Sequence, residues 1–208
     1  MTVRARPRGG LPDKRRAILA GALTQFARDG YTRASIDAIA GAAGVSTRTI
    51  YNHFEDKAHL FQAVIQESAA RVAEAQIAII DRHLSKVTDL EPDLIEFGRA
   101  WARPLAIEHD HFALVRQINA EAGHIPQAAI DAWQEAGPLP VRRELAGRMR
   151  QLVDRGLLRS DDPERAALHL MLLVGISNPS YRAGTPSEQE ITEMVTAGVR
   201  AFLHGYLP

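Results

Sequence analysis

The stretch at residues 35–57, SIDAIAGAAGVSTRTIYNHFEDK, limits the fold more than any other, because it reads as two short helices joined by a glycine turn. Ile36, Ile39, Ala40 and Ala43 fall at helical spacing and make one apolar face. Gly44 follows where a left-handed residue can end a helix without steric cost. Val45 packs the turn, and either Ser46 or Thr47 can cap the helix after it. In that second helix Ile50 and Phe54 stand one turn apart on the inner side, which leaves Arg48, Thr49, Tyr51, Asn52 and His53 for the outer faces. This is helix-turn-helix chemistry, with the second helix carrying the side chains that grip DNA.

Charge is distributed to match. The 208-residue chain has a net charge of zero, yet residues 1–60 hold ten Lys/Arg against five Asp/Glu, while the remainder holds fifteen against twenty. The half with a balance of +5 is the half with the motif, as binding to a polyanion requires. Residues 1–12, broken by Pro7, Gly9, Gly10 and Pro12, read as a disordered arm whose Arg4, Arg6 and Arg8 suit a minor groove. The absence of cysteine excludes a disulfide framework, a thiolate metal site and a cysteine nucleophile. The N-terminus has charge but no apolar leader segment. The longest apolar run, residues 170–176, is far short of the roughly 20 residues a membrane-spanning helix needs. A soluble cytoplasmic protein is expected. Twenty-two arginines against three lysines fit a GC-rich bacterial genome.

Periodicity is helical throughout, so the expected fold class is all-α: a three-helix helix-turn-helix domain at residues 13–58 and a larger helical domain at 59–208. Asp13 is placed to cap a first helix with a stripe of Ile18, Ala22, Leu23, Phe26 and Ala27, ended by Gly30. Asp56 is placed to cap a longer helix running towards Leu84, which links the two domains. Leu94, Phe97, Gly98, Trp101 and Leu105 form the next stripe, followed by a helix from about Phe112 to Ala122. Pro126, Pro138 and Asp162-Pro163 each open a further helix, Gly137 and Gly156 each close one, and Ser187 with Glu190 is a capping box for the last. The segment AALHLMLLVGI is apolar nearly all round, and a helix of that kind must be covered on every side. With the strict stripe of the final helix it suggests pairing with a second copy, with Leu170, Leu173, Val195, Val199 and Phe202 at the interface.

The helix-turn-helix segment resembles the DNA-binding domain of TetR-family transcriptional regulators. The residues that carry the resemblance are Ser35, Ile39-Ala40, Ala43-Gly44-Val45-Ser46, Tyr51, Phe54 and Lys57. Glu121-Ala122, Gly137-Pro138 and Asp162-Pro163 resemble the helical C-terminal domain of one TetR subgroup. The resemblance implies a homodimer on a pseudo-palindromic double-stranded operator, a small-molecule effector that releases a repressor, a four-helix isologous interface and no cofactor or metal. It adds His53 and Lys57 as DNA contacts to those that outward spacing and side-chain chemistry suggest, namely Ser35, Ser46, Thr47, Arg48, Thr49, Tyr51 and Asn52. At position 48 many members carry a small residue, so the role of Arg48 rests on arginine itself, whose guanidinium can read guanine O6 and N7 or take a phosphate. Trp101, Phe112, Gln117, Asn119, His124, Trp133 and His169 are the expected effector-binding residues, His169 because it interrupts an apolar helix and the others because they lie on the helices that line the pocket in TetR-like proteins.

Two alternatives stand beside this. A ligand-independent DNA-binding regulator would share the motif and lack the effector. A small helical enzyme would use His109, Asp110, His111 and Glu121 as acid-base or metal groups, but the chain has no phosphate loop, no nucleophile elbow and no zincin spacing.

Overall fold

The computed structural model describes residues 11–103, 109–175 and 186–207, and every element in them is a helix. In chain order these are α1 (Leu11–Arg33), α2 (Ile36–Ala43), α3 (Thr47–Tyr51), α4 (Lys57–Leu84), α5 (Leu90–Ala102), α6 (His109–Ala120), α7 (Gln127–Ala136), α8 (Pro138–Asp154), α9 (Pro163–Val174) and α10 (Glu188–Tyr206). Arg4, Arg6, Arg8 and Leu105 lie outside the described residues. No helix among the described residues is long and apolar enough to cross a membrane.

Most boundaries fall where local chemistry requires them. Gly30 adopts φ 80° and breaks the regular geometry of α1 near its end. The Asp56 carboxylate accepts the His59 N–H at 2.8 Å at the start of α4. Asp162 accepts from the Arg165 N–H at 2.9 Å to cap α9, and Ser187 with Glu190 forms a reciprocal capping box on α10. Gly156 is left-handed after α8. There are two exceptions, α1, which starts at Leu11 and so holds the expected cap Asp13 inside its first turn, and α6. The latter begins at His109, so His109, Asp110 and His111 form its first turn instead of the loop expected from sequence.

These caps make stability depend on acid. The Arg165 N–H bound to Asp162 and the Ser187 N–H bound to Glu190 hold both carboxyls below their ordinary values of 3.8 and 4.5. A carboxyl depressed in the folded state stabilises it above the unfolded pKa, and that contribution is lost as pH falls through the folded value. The melting midpoint is therefore expected to hold level through mildly acidic pH and to decline below about pH 4, measured by thermal melts across a pH series. A midpoint unchanged down to strong acid would show that the caps contribute nothing.

The chain forms two compact units, one from the described parts of residues 1–70 and 106–136, the other from those of 71–105 and 137–208. In this grouping the helix-turn-helix shares its unit with the first half of α4 and with α6 and α7. The core of that unit gathers Ile18, Phe26, Ile39, Ile50, Phe61, Leu114 and Ile118, with Phe26 and Phe61 edge-to-face at 4.9 Å. The core of the other unit gathers Phe97, Leu145, Met149, Leu170, Val195 and Phe202.

That second core holds four of the five residues expected at a dimer interface. Leu170, Val195 and Val199 are 0% exposed and Phe202 is 1% exposed, all packed within their own protomer. The strict stripe of α10 faces α5 and α9, where Gly98 and Gly198 let the helices approach closely. Of the five expected residues Leu173 alone is outward, at 41% exposed, and it stands with Leu168 (38%) and Leu172 (68%) on α9 and Met194 (58%) on α10. The all-round apolar character of α9 is real: one half of the helix meets its own core and the other half is bare.

Candidate nucleic-acid interface

Two side-chain caps and one glycine set the motif. The Ser35 Oγ accepts the Ala38 N–H at 3.1 Å and starts α2, and Gly44 at φ 65°, ψ 31° ends it. Of the two possible caps for α3, Ser46 is the one used. Its Oγ accepts the Thr49 N–H at 3.1 Å and lies 2.8 Å from the Thr49 hydroxyl, while Thr47 is the first helical residue. Ile50 and Phe54 are buried, as their spacing requires, and pin the inner side of α3 to the core. Arg48, Tyr51 and Asn52 are exposed, with Tyr51 at 54%, while Thr47, Thr49 and His53 are half-buried. The helix therefore presents a guanidinium, a phenol and an amide outward, the donor set that phosphates and base edges accept.

Lys57 is placed differently from a free surface lysine. Its Nζ donates to the Thr32 carbonyl at 3.0 Å and stands 5.0 Å from the centre of the Tyr31 ring. Burial lowers its pKa, against the opposing pull of the Glu121 carboxylate. Sequence reasoning gave Arg15 no role, yet its guanidinium lies over the Phe54 ring at 5.6 Å. No local signal could have found it, because α1 and the end of the recognition segment meet only in the fold.

The expected effector residues are divided between the two units, Phe112, Gln117, Asn119, His124 and Trp133 in the first and Trp101 and His169 in the second. Gln117 is half-buried with its Oε1 against Gly30, and Phe112, Asn119 and His124 are exposed. Trp133 is half-buried on the core of the first unit, and its indole N–H is buried without a hydrogen-bond partner. In the second unit Trp101 packs on Phe97 at 5.7 Å. His169 is exposed and not the buried pocket group expected, because it sits on the bare side of α9 with its Nδ1 2.7 Å from the Tyr206 hydroxyl. Two shallow depressions of about 340 and 330 Å³ are lined largely by charged residues such as Arg159, Asp161, Arg148 and Asp154.

The residues of the enzyme alternative are held apart. His109 is exposed and lies 3.4 Å from Asp110, whereas His111 is buried with its Nδ1 2.9 Å from the Ser68 hydroxyl. Glu121 is bound to Thr32 and is ten residues from His111, about 15 Å along a helix. Among the described residues no group of three or more metal-binding side chains is placed to hold an ion.

Comparison with known proteins agrees with this geometry. Residues 18–64 match the family described as bacterial regulatory proteins, tetR family, and residues 92–208 match the AefR-like transcriptional repressor, C-terminal domain. The HTH-type transcriptional repressor AcnR of Corynebacterium efficiens is 29% identical over 192 residues, covering 90% of this chain and 93% of the relative. A TetR-family transcriptional regulator of known structure from Mesorhizobium loti superposes with a TM-score of 0.78 at 30% identity, covering 97% of this chain and all of the other. The flavonoid-responsive regulator FrrA superposes with a TM-score of 0.63 at 27% identity, over 95% of this chain and 98% of its own.

An outward polar recognition helix on a capped helix-turn-helix, within an all-α chain of such relatives, defines a DNA-binding transcriptional regulator and not an enzyme. The second family match alone spans more than half of the sequence. The chain belongs to the TetR family.

Proposed function

We propose that this regulator represses transcription by binding a pseudo-palindromic operator as a homodimer, and that a small molecule releases it. The observation that carries this is that one chain bears both an outward recognition helix and a bare apolar face formed by Leu168, Leu172, Leu173 and Met194. A protomer alone reads one half-site. A second copy laid over the bare face supplies the other recognition helix, and two such helices suit successive major grooves about 34 Å apart. Fully burying an exposed large apolar side chain contributes about 1.5–3 kcal/mol, and these partly exposed four from each copy each contribute a share of that in favour of pairing.

Within the recognition helix Arg48 is the base reader and Tyr51 a phosphate contact, and Lys57 at the start of α4 is a second phosphate contact. Ser46, Thr47, Thr49, Asn52 and His53 complete the contact surface, with Ser35 at the start of α2. The effector is a partly apolar small molecule, and Trp133 offers it a desolvated indole donor. The relative FrrA, named as flavonoid-responsive, supports an effector-controlled form. Release is a population shift: the effector favours a conformation whose recognition helices no longer match the operator, and its differential affinity sets the loss.

The test begins with an operator selected from a randomised duplex pool by the full-length protein. Arg48→Ala is expected to weaken that duplex by about 1–3 kcal/mol while scrambled DNA is bound almost as before. Equal losses on both duplexes would move Arg48 to the phosphate class. A thermal-shift screen of small molecules then separates the effector-controlled regulator, which gains stability with a ligand that also releases DNA, from a ligand-independent one.

A further inference from the structure

Gly30, Thr32, Lys57 and Glu121 meet at a point that the helix-turn-helix pattern does not mention. Thr32 follows the break in α1, so its backbone N–H has left the regular helix ladder and needs an acceptor from elsewhere. The acceptor comes from the end of α6. Glu121 Oε2 takes the Thr32 N–H at 2.8 Å and the Thr32 hydroxyl at 2.9 Å. Gly30 is what admits it, since a Cβ at that position would fall on Glu121 Oε1 and stand 3.1 Å from Gln117 Oε1. On its other side Thr32 presents its carbonyl to the Lys57 ammonium at 3.0 Å. A single residue of the turn is thus held by an anion from one side and holds a cation on the other.

We propose that Glu121 is a positioning residue for DNA binding: through Thr32 it places the Lys57 ammonium for its phosphate. This rests on the assignment of Lys57 to phosphate made above. The Thr32 carbonyl takes one of the three ammonium donors and leaves two for DNA. Burial acts against the charge on Lys57, and the Glu121 carboxylate counters it. Burial also acts against the charge on Glu121, and the Thr32 N–H and hydroxyl, together with the Arg33 charge and the Tyr31 N–H, outweigh that burial and hold its carboxyl below the ordinary value of 4.5. The segment at residues 106–136 therefore takes part in the grip on DNA without touching it, which accounts for a glutamate and a threonine 89 positions apart in sequence sharing one contact.

The experiment measures affinity of the full-length dimer for the selected operator by fluorescence anisotropy, using Lys57→Gln, Glu121→Gln and the double variant. Each single change is expected to weaken binding about a hundredfold, the scale of losing one charge-assisted hydrogen bond on each of two subunits. The double variant is expected to be no weaker than Lys57→Gln alone, because the two changes remove one contact. Both singles should also lower the slope of log K against log salt by about 1.8, one phosphate contact on each of two subunits. A general loss of structure would instead add to the effect of Lys57→Gln. Glu121→Gln binding as tightly as the unmodified protein, or weakening binding additively with Lys57→Gln, overturns the inference. Lys57→Gln without effect removes the phosphate assignment itself and is read separately. If Glu121→Gln does not fold, the near-isosteric Thr32→Val, which removes one of the two hydrogen bonds at an exposed site, is put through the same cycle. It is expected to weaken binding severalfold, and additivity with Lys57→Gln is again the overturning result.

Discussion

Leu172→Glu is expected to convert the proposed dimer to monomers and weaken operator binding by about a hundredfold or more while each protomer stays folded. Leu172 is 68% exposed, so in an isolated protomer the new carboxylate remains in water and costs little. Under a second copy the same carboxylate is stripped of water without a partner, and isologous symmetry places one from each copy in the interface. An unpaired charge forced into an apolar contact costs several kcal/mol, enough to dissociate a dimer held by a few apolar side chains. Operator affinity should then fall by about a hundredfold or more, because two linked half-site contacts become separate bimolecular events. Val195→Glu provides the contrast. Val195 is buried in its own protomer's core, so that change is expected to unfold the chain and not merely part the copies. Sedimentation velocity and circular dichroism distinguish the two results. A Leu172→Glu protein that remains a dimer with full operator affinity would place the interface on another surface.

The contrast between Leu172 and Val195 marks where the sequence stops being informative. The glycine turn at Gly44, the Ser46 cap, the Asp162-Pro163 start and the Ser187–Glu190 box were all legible, because each depends on atoms within four residues of one another. The inward Ile50 and Phe54 were legible for the same reason. Which side of α9 and α10 meets the chain's own core was not, since a helix apolar all round gives no direction and a clean stripe fits a protomer core as well as an interface. The exposure of His169 was hidden by that ambiguity: a lone polar residue among apolar ones reads as buried, whereas it lies on the bare side beside Tyr206. The partners of Lys57 were equally out of reach, as Thr32 is 25 residues away and Glu121 is 64. Glu121-Ala122 could be quoted as part of a subgroup's pattern, but its partner is fixed only when α6 packs against α1.

The packing that decides the direction of α9 yields the second large effect, at Gly198. A Cβ there would fall on the backbone carbonyl oxygen of Leu173 and stand 2.7 Å from the carbonyl carbon. A backbone group cannot rotate out of the way as a side chain can, so Gly198→Ala forces α9 and α10 apart. Helix propensity alone would favour alanine by about 1 kcal/mol. Overpacking of a fitted contact costs about 1–3 kcal/mol, and separating the helices also loosens Leu170, Val174 and Val199 beneath them, so destabilisation wins. The expected result is a melting midpoint lowered by several degrees, on the scale of about 2–4 °C per kcal/mol for a chain of this size. Gly147 on α8 serves as the control. A Cβ there meets nothing within 4 Å, so Gly147→Ala is expected to stabilise the fold by about 0.5–1 kcal/mol through the smaller entropy of the unfolded chain and to raise the midpoint accordingly. Because α9 and α10 also carry Leu172 and Met194, Gly198→Ala should shift the monomer–dimer balance towards monomer at low protein concentration, although no exposed residue has been altered. A Gly198→Ala protein that melts at or above the unmodified midpoint would show that the two helices tolerate a wider spacing, and that the close approach is not what turns the bare face of α9 outward.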